Sequence, residues 1–145
     1  MIARTLLILR HASAANEPAN ADEERPLTQL GRSEATQVGK HVAEWKPEQV
    51  LCSTALRTRQ TWQLISPELE TEPEIDFEPA IYQANADTLR ELIWLAAGDA
   101  RTLLLIGHNP AVHELAWGLL GDRAPQHFPP AALAVVRFKG EWTDL

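Results

Sequence analysis

The sequence is most informative at Leu6–Ala14, "LLILRHASA". Its continuous apolar run is typical of a strand that is covered on both faces of a sheet. Turn residues normally follow such a strand, but here Arg10 and His11 follow it. A second apolar run, "RTLLLIGH" at residues 101–108, ends in His108. These strand ends are therefore the first places to look for function.

Apolar runs of strand length alternate along the chain with segments of helical period. This alternation predicts an α/β protein with a mainly parallel sheet. Strands are expected at residues 5–10, 49–52, 75–77, 101–108 and 133–138, and helices are expected to begin at the N-caps Thr28, Ser53, Asp87 and Asn109.

Residues 12–27 form a polar stretch that is longer than most loops, and loops of this length are often functional lids. Its acidic group, Asp22 to Glu24, is interpreted as a solvated part of the loop.

Length and composition limit the class of protein. The 145 residues fit one domain, residues 1–145. The net charge of −7 argues against a nucleic-acid partner. No run approaches the roughly 18 apolar residues that would span a membrane. The apolar run at the N-terminus is too short for a signal peptide, and the one cysteine, Cys52, allows no internal disulfide. We therefore expect a cytoplasmic protein.

The carboxyl ends of parallel strands lie along one edge of a sheet, where ligands of open α/β folds bind. There we expect Arg10 and His11 to meet His108 and Arg57, which follows the second strand. Two arginines and two histidines would repel one another unless they held an anion. Arg57 also lies near a helix N-terminus, where the helix dipole disfavours a cation. Because guanidinium groups match phosphate oxygens, phosphate is the expected anion.

A neutral histidine can attack phosphorus and form a covalent phosphohistidine. The flanking arginines and the second histidine would stabilise the charge on the transferring group. This scheme needs no metal or other cofactor, and the sequence has no carboxylate cluster suited to magnesium.

Three alternative hypotheses for the function of these residues remain beside the histidine mechanism. Cysteine-dependent phosphatases use Cys-x5-Arg, but only four residues separate Cys52 from Arg57. A zinc site on one helix face needs two histidines four apart, whereas His113 follows His108 by five. A phosphate-binding module without catalysis is the third reading, and an intact set of four site residues argues against it.

Five segments in order resemble the histidine phosphatase superfamily, and within it the short SixA-type phosphohistidine phosphatases. They are "LRHASA" (9–14), "RPLTQLGRSEA" (25–35), "CSTALRTRQT" (52–61), "LLLIGHNPAVHELAWGLLG" (103–121) and "FPPAALAVVRF" (128–138). The resemblance implies a three-layer α/β/α fold of the histidine phosphatase-like, or phosphoglycerate mutase-like, type.

The resemblance also implies roles for the matching residues. His11 would be the nucleophile, Arg10 and Arg57 would bind the phosphate, and His108 would stabilise the transferring group. Supporting positions would be held by Ser53, Gln60 and Thr61.

The sequence departs from many relatives where mutases and phosphomonoesterases carry a general acid. The matching position is Ala80, and Glu78 is shifted from it. An alkoxide needs a proton to leave, whereas the conjugate acid of imidazole has a pKa of about 6.5. We therefore expect the substrate to be phosphohistidine in a protein. A small phosphorylated molecule, cleaved by a phosphomonoesterase of the same superfamily, is the alternative.

Overall fold

The computed structural model describes residues 1–145 and contains one five-stranded sheet with the strand order β3-β2-β4-β1-β5. Strands β1 to β4 run parallel, and β5 lies antiparallel to β1 at one edge. The strands are β1 (Ala3–Arg10), β2 (Gln49–Ser53), β3 (Glu74–Glu78), β4 (Thr102–Gly107) and β5 (Leu133–Lys139). The helices are α1 (Gln29–Trp45), α2 (Leu56–Ile65), α3 (Ala86–Ala96) and α4 (Ala111–Leu120).

Helices cover both faces of the sheet because successive residues of a strand point to opposite sides. Leu6 and Ile8 of β1 pack in a core that also contains buried residues of α3 and α4. Leu7 and Leu9 pack in a second core with residues of α1 and α2. This arrangement confirms the expected three-layer α/β/α fold with a mainly parallel sheet.

The strand order places the chemically interesting strand ends side by side. Strand β4 lies between β1 and β2, and Arg10 pairs in register with Gly107. The segments that follow β1, β2 and β4 therefore leave the sheet at the same edge, as the sequence predicted.

The expected N-cap of α1 is confirmed, because Oγ1 of Thr28 accepts a hydrogen bond from the backbone N–H of Gly31 at 3.0 Å. The expected N-cap of α2 is wrong. Ser53 is the last residue of β2, and Ala55 occupies the N-cap position. Pairing with Glu78 of β3 keeps Ser53 in the sheet.

The N-caps expected for α3 and α4 are also wrong. Asn85 caps α3 by accepting from the N–H of Thr88 at 2.8 Å, and Asp87 lies in the first turn. Pro110 is the N-cap of α4, because the side chain of Asn109 instead donates to the carbonyl of Phe128 at 2.8 Å.

The loop between β1 and α1 carries a short 3-10 helix, Asp22–Glu24. Its two ends lie together, since Ala14 and Leu27 form an isolated β-bridge. None of the helices is long and apolar enough to cross a membrane.

Candidate active site

The four residues expected at the sheet edge do come together. The ring centroids of His11 and His108 are 5.4 Å apart. His11, Arg57 and His108 are each less than a tenth exposed, and Arg10 is half-buried. The charges of Arg10 and Arg57 both act on His11 and on His108. The site is therefore a cationic cluster, largely shielded from water.

The main chain fixes which nitrogen of His11 carries its proton. Nδ1 lies 2.7 Å from the carbonyl oxygen of Ala12, and a carbonyl oxygen can only accept a hydrogen bond. Nδ1 is thus the donor, which leaves the lone pair of a neutral ring on Nε2. Burial lowers the pKa of His11 to about 4, an effect that the bond to Ala12 opposes and the nearby arginines reinforce. The ring is therefore uncharged at neutral pH.

The ring of His108 contacts the hydroxyl of Ser53. Oγ of Ser53 accepts from the N–H of Ala55 at 3.4 Å and lies 2.7 Å from Nε2 of His108. A hydroxyl can both donate and accept, so this contact fits either tautomer of His108. When the Ser53 hydroxyl donates to Nε2, Nδ1 of the neutral ring carries the proton and can donate it to an anion. This Nδ1 is buried and has no partner. Burial, followed by the proximity of His11 and Arg57, lowers the pKa of His108 to about 3.

Arg10 has an unused donor as well. Its Nη1 donates to the carbonyl of Phe128 at 3.2 Å, while its Nε is buried without a partner. Burial and the charge of Arg57 lower the pKa of Arg10. Buried donors without partners are rare because they are costly. An oxyanion between Arg10 and His108 would satisfy both.

Sequence reasoning missed two residues, Asp22 and Tyr82. Arg57 donates through Nη1 to the main-chain oxygen of Asp22 at 2.7 Å, and through Nη2 to its Oδ2 at 3.1 Å. The Tyr82 hydroxyl donates to the same Oδ2, and Nη1 of Arg25 lies 3.0 Å from Oδ1. The Tyr82 hydrogen bond, followed by that of Arg25, holds the pKa of Asp22 well below its usual range. Asp22 is exposed, as expected for a solvated loop, but it also contacts the cluster, which the sequence did not indicate.

Tyr82 also contacts the rest of the cluster. Its ring meets His108 edge to face at 5.5 Å between centroids, and Cζ of Arg57 lies 5.8 Å from the ring centroid. Its hydrogen bond to Asp22 raises the pKa of Tyr82. No spacing rule points to Tyr82, because it reaches the site from the segment after β3.

The side chains of Thr61 and Gln60 hydrogen-bond the β1–α1 loop to α2. The N–H of Ala12 donates to Oγ1 of Thr61 at 3.0 Å, and that hydroxyl donates to the carbonyl of Arg57 at 2.7 Å. Gln60 accepts from the N–H of Leu27 at 2.8 Å. These contacts connect the segment carrying His11 with the helix carrying Arg57.

Cys52 was an alternative nucleophile and Glu78 an alternative general acid, and the surroundings of both explain other roles. Cys52 is fully buried, and burial raises the pKa of its thiol. Glu78 accepts from the N–H of Ala80 at 3.0 Å, within a short 3-10 helix, Pro79–Ile81. Beside Ala80 lies a cavity of about 450 Å³, also lined by Glu23 and Tyr82. No group of three or more His, Cys, Asp or Glu side chains is arranged to hold a metal ion.

Comparison with known proteins identifies the family. Residues 6–81 match the sequence model of the histidine phosphatase superfamily (branch 1). The Mycobacterium tuberculosis protein Rv1276c is 32% identical over 94% of this chain and 91% of its own length.

Two solved structures share the fold over most of their length. The first is a protein from Agrobacterium tumefaciens provisionally named phosphohistidine phosphatase SixA. It has a TM-score of 0.82 and 31% identity, over 91% of this chain and 90% of its own. The second is the protein histidine phosphatase SixA complexed with tungstate, with a TM-score of 0.81 and 26% identity, over 96% and 90% of the two chains. The chain therefore belongs to the histidine phosphatase superfamily and is of the SixA type.

Proposed function

We propose that this protein is a phosphohistidine phosphatase that removes phosphate from phosphohistidine in a protein, with His11 as the nucleophile. The observation that carries the proposed role of His11 is the hydrogen bond from its Nδ1 to the main chain, which leaves the lone pair of the neutral ring on Nε2. Its Nδ1 is bonded to the carbonyl of Ala12, and its pKa lies near 4. Nε2 of a neutral ring is therefore free to attack at physiological pH.

The expected reaction has two displacements. In the first, Nε2 of His11 forms a bond to phosphorus while the P–N bond of the substrate breaks. The departing ring leaves as neutral imidazole when its second nitrogen already carries a proton. In the second, water attacks phosphorus, the bond to Nε2 breaks, and phosphate is released with His11 restored to its neutral form.

Arg10, Arg57 and His108 are the proposed phosphate ligands. Nε of Arg10 and Nδ1 of His108 are buried nitrogens of the site without partners, and an anion, which only accepts hydrogen bonds, would favour the His108 tautomer with its proton on Nδ1. Donors that are fixed before the reaction stabilise charge that develops on a transferring group. The tungstate complex of the related SixA protein supports an oxyanion site of this kind. None of these roles requires a metal or other cofactor.

The choice of phosphohistidine over a phosphoester is supported by the carboxylates around the site. The family resemblance matches Ala80 to the position of the general acid, and the Glu78 side chain accepts a hydrogen bond from the N–H of Ala80. Asp22 contacts the cluster, but its pKa lies well below its usual range, so it has no proton to donate at neutral pH. A leaving group that needs no dedicated acid suits this site best.

Trapping the intermediate tests the role of His11. After rapid mixing with a phosphohistidine protein labelled in its phosphoryl group, we expect the label on the peptide that contains His11. The His11→Asn variant should carry no label and show no turnover, with an unchanged circular dichroism spectrum. Label on any other residue, or substantial turnover by His11→Asn, would contradict the mechanism.

A further inference from the structure

We propose that Asp22 is a positioning residue that holds the Arg57 guanidinium in the orientation that binds the transferring phosphoryl group. The inference rests on the proposed function, because it assigns Arg57 to phosphate. It adds a residue from the β1–α1 loop to a site otherwise built at the sheet edge.

The contacts of Arg57 define which of its donors remain for an anion. A guanidinium has five N–H donors. Asp22 takes one from Nη1 through its main-chain oxygen and one from Nη2 through Oδ2. These two hydrogen bonds involve both terminal nitrogens, so they fix the plane of the guanidinium. The N–H of Nε and one N–H on each terminal nitrogen remain available to an anion. Arg57 is 6% exposed, so water offers little competition for these donors.

Asp22 can orient another side chain because it is itself held from several sides. Its Oδ1 pairs with Arg25 and its Oδ2 also accepts from Tyr82. Arg25 in turn donates from Nε to the carbonyl of Ala15 at 2.7 Å, and the N–H of Ala15 donates to Pro26 at 2.8 Å. The side chain of Asp22 is therefore fixed although about half of it is exposed.

The opposite interpretation is that the Asp22 carboxylate occupies the phosphate position and must be displaced. The contacts favour positioning. Asp22 makes no hydrogen bond to Arg10, His11 or His108, which are the other groups proposed to surround the phosphate. Its carboxylate makes hydrogen bonds to Arg57, Tyr82 and Arg25, and it acts on His108 only through its charge.

Tungstate affinity separates the two interpretations by the sign of the change. Removing a negative charge near an anion site strengthens anion binding if charge or displacement dominates. If Asp22 positions Arg57, Asp22→Ala should instead weaken tungstate binding by about tenfold, as expected for a lost charge-assisted hydrogen bond that is partly exposed. Asp22→Asn keeps an acceptor oxygen and should be intermediate. Titration calorimetry with sodium tungstate measures each variant, and thermal melts check folding.

Glu24→Ala is the matched control. It removes one negative charge from the same 3-10 helix, and the Glu24 side chain makes no hydrogen bond or ion pair. It should leave tungstate affinity unchanged or slightly stronger.

In steady-state assays, Asp22→Ala should raise KM more than it lowers kcat, since ground-state binding of the phosphoryl group is affected first.

A double-mutant cycle tests whether Asp22 acts through Arg57. In an Arg57→Ala background, Asp22→Ala should cause no further loss of tungstate affinity. An equal loss in both backgrounds, or unchanged or tighter binding by Asp22→Ala alone, would overturn the positioning role and leave the proposed function intact. Failure of the wild-type protein to bind tungstate would overturn both.

Discussion

At the scale of single residues, the site combines two uncharged histidines with several arginines. Burial opposes a charge on either ring, and each additional positive charge nearby opposes it further. The pKa of His11 falls to about 4 and that of His108 to about 3 for these reasons. The proposed nucleophile, His11, must be neutral to attack, so the cationic surroundings proposed to bind the anion would also maintain the reactive form of the ring.

This lowered pKa predicts a loss of stability in acid. The pKa of His11 is 6.5 unperturbed and about 4 when folded, so the unfolded chain binds this proton first as the pH falls. The stabilisation is complete above pH 6.5 and is lost as the pH falls towards 4, by roughly 3 kcal/mol for a group of this shift.

Urea unfolding at several pH values measures the effect. The wild-type protein should lose more free energy of unfolding between pH 7 and pH 4 than His11→Asn, whose amide has no charge to gain. Acidic side chains elsewhere contribute equally to both proteins. Identical pH dependence in the two would contradict the lowered pKa of His11.

The site residues differed in how far sequence could predict them. Arg10, His11 and His108 follow strands of a parallel sheet, so the fold class itself predicts that they meet, and Arg57 follows β2 by four residues. Asp22 reaches the site only because its loop closes on itself and folds over α2. Its contact is set by tertiary structure, for which a polar, acidic sequence gives no signal.

At the scale of secondary-structure elements, α2 and the end of β1 are joined through one hydroxyl. Thr61 accepts from the N–H of Ala12 and donates to the carbonyl of Arg57, and it is fully buried. Thr61→Val keeps the shape but leaves the N–H of Ala12 buried without a partner. We expect a loss of about 1–3 kcal/mol in the free energy of unfolding.

Chemical denaturation of Thr61→Val provides the measurement, with Thr61→Ser as the control that keeps the hydroxyl. Phosphatase activity should fall with Thr61→Val, because Ala12, next to the proposed nucleophile His11, loses its hydrogen-bond acceptor. If Thr61→Val were as stable and active as Thr61→Ser, this hydroxyl would not be the link between the two elements.

Helix α1 approaches the site loop at Gly31. A Cβ at this position would lie 2.0 Å from the carbonyl oxygen of Ser13, which is too close without moving the backbone. Gly31→Ala should therefore cost about 3 kcal/mol or more, as a severe case of overpacking.

Gly118→Ala in α4 is the contrasting substitution for the same denaturation experiment. The added methyl group would meet only the flexible end of Arg90 at 2.9 Å. Replacing glycine with alanine inside a helix should then stabilise the protein by about 0.5–1 kcal/mol. Equal effects of the two alanines would mean that α1 does not pack against the main chain of Ser13.

The N-cap errors show the limit of prediction at this scale. Ser53 and Asn109 are residue types that favour N-caps, but both side chains have other partners. Ser53 is placed in β2 with its hydroxyl on His108, and the amide of Asn109 is bonded to Phe128. Asn85 and Asp87 both suit the start of α3, and their local sequence does not decide between them. The alternation of apolar runs with helical segments, in contrast, predicted all five strands and all four helices near their observed positions.

At the scale of the whole molecule, the order of the strands unites the site. The chain crosses from β1 to β2 and then returns from β3 to insert β4 between them. The ends of β1 and β4 thereby become neighbours although they are nearly a hundred residues apart in sequence. Continuous apolar runs predict a buried parallel sheet, and the superfamily resemblance predicts its architecture. The apolar pattern alone does not predict the strand order, because every inner strand of a buried parallel sheet has the same continuous apolar sequence.

The family and the fold do not determine which leaving group the substrate carries, and this is the central question. The most direct test is the rate of phosphate release from a phosphohistidine protein, compared with a phosphoserine peptide and a simple phosphomonoester at equal enzyme concentration. Because the family resemblance matches Ala80 to the general-acid position, and Asp22 has a lowered pKa, we predict a strong preference for phosphohistidine. Equal or faster release from the esters would contradict the account, because it would require a general acid in this site and would indicate a phosphomonoesterase.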